Sequence, residues 1–172
     1  MPSEYAEVQV RPGIEGDLEA LTALYNHYIR ETAITFDTVV LTPEERRPWL
    51  LSHPEDGPHR LMVAADADTR RVLGYATSSP YRPKPAYGTS VETSVYVAPD
   101  AGRRGIGTLL YDALFKALAE EDVHRAYAGI ALPNEASERL HARFGFRHVG
   151  TFHEVGRKFG RYRDVAWYER EL

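Results

Sequence analysis

With 172 residues, 43% of them hydrophobic, the chain has the size and apolar content of one compact domain with a sizeable core, and no second domain is expected within 1–172. A formal net charge of −4 argues against non-specific binding to DNA or anionic membrane, while local Arg and Lys clusters stay free to recognise a small anion. The absence of cysteine excludes disulfides, cysteine–zinc sites and an acyl-cysteine intermediate, so a transferred acyl group would pass directly between substrates or through another nucleophile.

Val8, Val10 and Ile14 flank a short first strand, and Asp17 can cap a helix running to about Arg30 with Leu18, Leu21, Leu24, Tyr25 and Tyr28 along it. Thr42-Pro43-Glu44-Glu45 reads as a capping box with proline at the first helical position, opening a second helix toward Leu51. Leu61–Ala65 and Val72–Ala76 form a hairpin around a polar turn at Asp66–Arg71. Pro80–Pro85 reads as loop, followed by a strand from about Thr89 to Val97. A helix then carries Ile106, Leu109, Leu110, Ala113, Leu114, Ala117 and Leu118 on one buried stripe, with Asp112, Lys116 and Glu120 toward solvent.

Ala126–Leu132 is a buried strand, and a Pro133-Asn134 break leads into a short helix with Ala136, Leu140 and Phe144 that Gly145 ends. The last segment offers two strands around Gly156–Tyr162, with Val149, Phe152, Val155, Val165, Trp167 and Tyr168 as packing candidates. The order β-α-α-β-β-β-α-β-α-β-β describes a mixed α+β sheet protein. No apolar run approaches a membrane span, and Met1-Pro2-Ser3-Glu4 lacks a basic and hydrophobic leader pattern, so a cytoplasmic location is expected, with no membrane or nucleic-acid partner and no metal.

The most informative segment runs from Val95-Tyr96-Val97 through Gly102-Arg103-Arg104-Gly105-Ile106-Gly107-Thr108 into the helix. An apolar strand feeds a basic, glycine-rich turn at a helix N-terminus. There the first backbone N–H groups lack intrahelical partners, the dipole is positive, and Gly105 and Gly107 carry no Cβ to hold an anion away. The segment has no GxxxxGK[ST], and its GxG lacks both a third glycine and a following ribose-binding acid, so the Walker and dinucleotide readings fail.

This strand-turn-helix resembles the acetyl-CoA pyrophosphate loop of the GCN5-related N-acetyltransferase (GNAT) superfamily, Q/R-x-x-G-x-G/A, and the element order resembles that fold over nearly the whole chain. The Q/R position holds Gly102, so Arg103 or Arg104 would supply the side-chain contact. Leu132-Pro133-Asn134-Glu135 and Leu140-His141-x-x-Phe144-Gly145-Phe146 resemble the phosphinothricin acetyltransferase branch. So do Asn26-His27-Tyr28 with Phe36, Ala86-Tyr87 and the closing Gly160-x-x-x-Asp164-Val165-x-Trp167. The resemblance implies an acetyl-CoA-dependent N-acetyltransferase, with Asn134 on the pantetheine arm and His141 at the acceptor. The Val95-Tyr96-Val97 backbone would bind the pantetheine like a neighbouring strand and aim an N–H at the thioester oxygen. Relatives are typically dimers. Phe152, Phe159, Tyr162, Trp167 and Tyr168 fit either such a contact or core.

Amine acetylation needs a neutral amine, a polarised carbonyl and a proton for the departing thiolate. Glu92, partly buried on its strand, would be the base, with an edge-strand surface charge as the other reading. Tyr111, four residues after Gly107, leans back toward the helix N-terminus and could protonate the thiolate or serve as core. Arg82 and Lys84 precede Tyr87 where the branch binds the acceptor's anionic group, and Tyr28, Phe36 and Tyr87 would wall a pocket for a small amino-acid-like molecule. Phosphinothricin, methionine sulfoximine and methionine sulfone are the acceptors implied. A polyamine, an aminoglycoside, a protein N-terminus, or CoA sensing without catalysis remain open alternatives.

Overall fold

The structure is a computed structural model that describes residues 7–102 and 104–172. Its elements are β1 (Val8–Pro12), α1 (Leu18–Glu31), α2 (Pro43–Leu51), β2 (Leu61–Asp66), β3 (Val72–Pro80), β4 (Ser90–Val97), α3 (Ile106–Leu118), β5 (Arg125–Ala131), α4 (Glu135–Arg143), β6 (Arg147–Lys158) and β7 (Arg161–Glu171). The order matches the sequence expectation element for element. One seven-stranded sheet runs β1-β2-β3-β4-β5-β7-β6, antiparallel throughout except where α3 crosses over between the parallel strands β4 and β5.

Four local expectations needed correction. Asp17 stands at the head of α1, yet its carboxylate turns back to accept a fork from Arg11 at 2.8 Å and the Ile14 N–H at 2.9 Å, so it makes no side-chain cap. Pro80 is the last residue of β3, paired with Val91, since a strand end tolerates a missing donor. The β6–β7 turn sits at Phe159-Gly160, with Gly156 inside β6, because the strands are longer than the glycine spacing suggests. Val149, Phe152 and Val155 are 56–58% exposed rather than packed, for β6 is the sheet's edge. The capping box at Thr42 forms as read: Thr42 Oγ1 accepts from the Glu45 N–H and Glu45 Oε2 from the Thr42 N–H.

The buried stripe of α3 is rotated relative to its aliphatic pattern. Ile106, Leu110, Tyr111, Leu114, Phe115 and Leu118 are buried, whereas Leu109 is 40% exposed, because the helix turns its two aromatic rings toward Phe144 and Phe146 of the α4–β6 connection. Burying each apolar side chain contributes about 1.5–3 kcal/mol, which makes α3 the anchor of the core. A Cβ on Gly74 would come 2.8 Å from the Tyr96 carbonyl oxygen and 3.2 Å from Ile106, so the β3–α3 approach requires glycine there. On the opposite face α1 and α2 cover Tyr75 and Tyr96, through ring contacts of Tyr25, Tyr28 and Trp49 at 5.1–5.5 Å.

Candidate active site

β4 and β5 pair only from Ser90–Glu92 against Arg125–Tyr127, while the outer edges of both strands stay paired, β4 with β3 and β5 with β7. Past Glu92 the two strands part. Between them lies a cleft of about 530 Å³ whose lining includes Thr93–Val97 from one strand and Ala128–Ala131 from the other. Unpaired strand edges present backbone N–H and C=O groups to whatever enters, as in strand addition.

One end of the cleft is the α3 N-terminus. Gly105 occupies the N-cap with φ +69°, a conformation in which a side chain is strained, and no side chain caps the helix. The N–H groups of Ile106, Gly107 and Thr108 are therefore left for an anion. Arg104 reaches toward Asp66 at 3.9 Å and does not line the cleft, and Arg103 lies outside the described residues. Arg139 and Arg143 of α4 do line it, the latter donating to Thr108 Oγ1 at 3.0 Å. Sequence reasoning missed both, although their four-residue spacing on α4 put them on one helix face. Asn134 also borders the cleft; its Oδ1 caps α4 by accepting from the Ser137 N–H at 3.2 Å, which leaves its amide N–H groups as donors.

At the apex, side chains alternate across β4. Glu92 is half-buried on the α1–α2 face, opposite Ser79 of β3 and beside Tyr127 of β5. Burial raises its carboxyl above the usual range, and the positive charge of Arg82 partly offsets this. Arg82 lies over the Tyr81 ring at 4.3 Å and donates to the Tyr81 carbonyl at 2.7 Å, and Tyr81 in turn contacts Tyr87 and Tyr127. Lys84 is exposed at the head of the turn holding Tyr87. Tyr28 lines the cleft and its hydroxyl donates to the Val97 carbonyl. Glu92, Arg82, Lys84 and Tyr87 stand beyond the point where the strands part and are not among the cleft's lining residues. Phe36 does not line it either; the ring lies on β6, where a Cβ at Gly156 would collide with it.

Thr93, next along β4, points to the α3 face. Its Oγ1 is 3.2 Å from the Tyr111 hydroxyl, which is 2.8 Å from His141 Nε2. His141 Nδ1 faces the Ser137 carbonyl oxygen at 2.7 Å. Burial pushes Tyr111 far above the usual phenol range and His141 below the usual imidazole one. Strand alternation and the i,i+4 spacing of Ser137 and His141 were the signals for Thr93 and Ser137, which the sequence reading did not single out. Among the described residues no group of three or more His, Asp or Glu side chains is arranged to hold a metal ion.

The model of the acetyltransferase (GNAT) domain family matches residues 13–167. The chain belongs to the GNAT acetyltransferase family. It is 79% identical over 167 residues to the phosphinothricin N-acetyltransferase of Streptomyces coelicolor, covering 97% of this chain and 98% of that one. It is 32% identical over 163 residues to the L-methionine sulfoximine/L-methionine sulfone acetyltransferase of Pseudomonas aeruginosa, covering 95% and 94%. Among solved structures it is similar to a GNAT superfamily phosphinothricin acetyltransferase from Sinorhizobium meliloti in complex with AcCoA, with TM-score 0.90 and 27% identity over 96% of this chain and 88% of that one. In this GNAT chain the cleft between the parted strands ends at the α3 N-terminus.

Proposed function

We propose that the protein transfers the acetyl group of acetyl-CoA to the amine of a small amino-acid-like acceptor of the phosphinothricin, methionine sulfoximine or methionine sulfone type. The cleft fits the co-substrate's chemistry: uncapped N–H groups at Gly105–Thr108 for the pyrophosphate, Arg139 and Arg143 for further phosphate charge, and free strand edges with Asn134 for the amide-rich arm. When bound, acetyl-CoA supplies a thioester whose carbonyl carbon the acceptor amine attacks, with the thiolate leaving.

Glu92 takes the proton of the acceptor's ammonium, its raised affinity for protons bringing the carboxylate closer to that task. Tyr111, kept protonated by burial and held by His141 Nε2 and Thr93 Oγ1, is the proton source for the departing sulfur: its hydroxyl turns from those partners to give up its proton and regains one from the acylated nitrogen. The β4 backbone at Val95–Val97 offers an N–H to the thioester oxygen. Arg82 is the observation that carries the acceptor class: its guanidinium lies over Tyr81, which packs on Tyr127, the β5 partner of Glu92. A cation there attracts the carboxylate or phosphinate of an amino acid and repels a polyamine. Lys84, Tyr87 and Tyr28 would complete the acceptor site.

The same reading includes a cytoplasmic enzyme that acts as a homodimer. No described helix is long and apolar enough to cross a membrane. Val149, Phe152, Val155, Phe159 and Tyr162 are each more than half exposed along the β6–β7 hairpin, an apolar edge suited to a second copy. The test is thiol release from acetyl-CoA across phosphinothricin, methionine sulfone, methionine sulfoximine, spermidine and a peptide. Turnover on the first three is expected, and turnover confined to spermidine or peptide would move the acceptor class.

A further inference from the structure

His53 lies just beyond α2, only 7% exposed. Its Nδ1 is 2.7 Å from the Trp49 carbonyl oxygen, and its Nε2 is 2.9 Å from the Ser79 hydroxyl. A carbonyl oxygen can only accept, so Nδ1 carries the ring proton, and Nε2 of the neutral ring can only accept. Ser52 agrees with this assignment: its hydroxyl donates to the same carbonyl at 2.6 Å and leaves its oxygen facing Nδ1 at 3.1 Å. Ser79 therefore gives its one hydroxyl proton to His53.

Ser79 is also the β3 residue paired with Glu92. Directly opposed residues share a sheet face with Cβ atoms about 4.5–5.5 Å apart, so a χ1 rotation would bring a released Ser79 hydroxyl to the Glu92 carboxylate. The other groups at Glu92 are Tyr127 across the β5 ladder and Arg82 beyond β3. Those at His53 are His59 and Arg46; with burial they favour the neutral ring against the pull of the Trp49 carbonyl.

We propose that His53 is a positioning residue for Glu92: by accepting the hydrogen bond of the Ser79 hydroxyl it withholds a donor from the carboxylate. A carboxylate without that donor is the stronger base. The device leaves Arg82 free to bind the acceptor's anion while limiting how far the neighbourhood tames the base. This inference rests on the reading of Glu92 as the base.

The test is the acid limb of the kcat/KM profile in wild type, His53→Phe, Ser79→Ala and the double variant. In His53→Phe the freed hydroxyl turns to Glu92 and the limb moves down by about one pH unit. That shift is absent when Ser79→Ala is the background, so the double variant tracks Ser79→Ala. A limb unmoved by His53→Phe, or moved equally with and without Ser79, overturns the proposal. Glu92→Gln separates the two levels: a limb that survives it overturns the base assignment and the proposal with it, whereas a limb it abolishes but His53→Phe leaves in place overturns the proposal alone. Nitrogen-15 shifts of the wild-type ring need no substitution. The Nδ1–H tautomer is expected, and an Nε2–H tautomer overturns the idea because Ser79 would then be the acceptor.

Discussion

The Tyr111 hydroxyl stands 2.8 Å from Nε2 of His141, and the two side chains are 0% and 3% exposed. Because His141 Nδ1 faces a carbonyl oxygen, Nε2 is the ring's acceptor, and the phenol's one proton has two acceptors within reach, His141 Nε2 at 2.8 Å and Thr93 Oγ1 at 3.2 Å. Phe115, Phe144 and Phe146 enclose the phenol ring at centroid distances of 5.2–6.4 Å. Burial in this cage raises the phenol and lowers the imidazole, so neither charges near neutral pH.

Tyr111→Phe removes a proton donor and little volume. The expected result is a kcat lower by about 10²-fold with an acetyl-CoA KM nearly unchanged. It also leaves His141 Nε2 buried without its donor, which costs about 1–3 kcal/mol of stability, readable by urea unfolding. A folded variant with wild-type kcat would assign thiolate protonation to another group.

Glu92→Gln keeps shape and removes the carboxylate proposed as the base, so kcat/KM for the acceptor should fall by about 10²–10⁴. Arg82→Ala tests the charge beside it. Arg82 favours the ionised carboxylate, so its loss moves the acid limb to higher pH and raises the acceptor KM more than the acetyl-CoA KM. An acceptor KM untouched by Arg82→Ala would move the anion site elsewhere.

The fold was legible because its signals are local: the Thr42 capping box, the hairpin turn at Asp66–Arg71 and the glycines of the β4–α3 turn each constrain a few neighbouring residues. A candidate could be named from the sequence where a single residue suggests a role, as with Glu92 on a strand that resembles a family's. It was not legible where partners meet only in three dimensions. Thr93, Tyr111 and His141 come from β4, α3 and α4, and no periodicity states that a strand threonine will meet a helix tyrosine. Leu109 is the converse case. Its aliphatic spacing fits the core stripe, but Phe144 and Phe146 pack on the aromatic side of α3 and it is left 40% exposed.

Gly105→Ala probes the anion site through backbone strain. At φ +69° a Cβ costs about 1 kcal/mol, and relief of that strain turns the first N–H groups of α3. The expected outcome is an acetyl-CoA KM raised by about tenfold with acceptor KM little altered, since one charge-assisted hydrogen bond is of that order. Equal effects on both substrates would argue that the turn acts through general stability.

The pH dependence of stability follows from the buried histidines. Burial lowers His53, His59 and His141 below the 6.5 of an ordinary imidazole. Below 6.5 the unfolded chain therefore binds protons that the folded chain refuses, so stability falls on acidification until the folded values are passed. Glu92 works the other way: its folded value lies above 4.5, so the folded chain holds an extra proton there and gains stability as pH falls through that window. Asp17, Asp66, Asp100 and Asp164 lie below 3.8 in the fold and lose their contribution only in more acidic solution. Three histidines oppose one carboxyl, so urea midpoints should drop between pH 7.5 and 5.5, and His53→Phe should flatten the slope by removing one of the three. A level midpoint across that interval would mean that the imidazoles reach solvent and titrate as they do in the unfolded chain, and a rising one that the gain at Glu92 outweighs them.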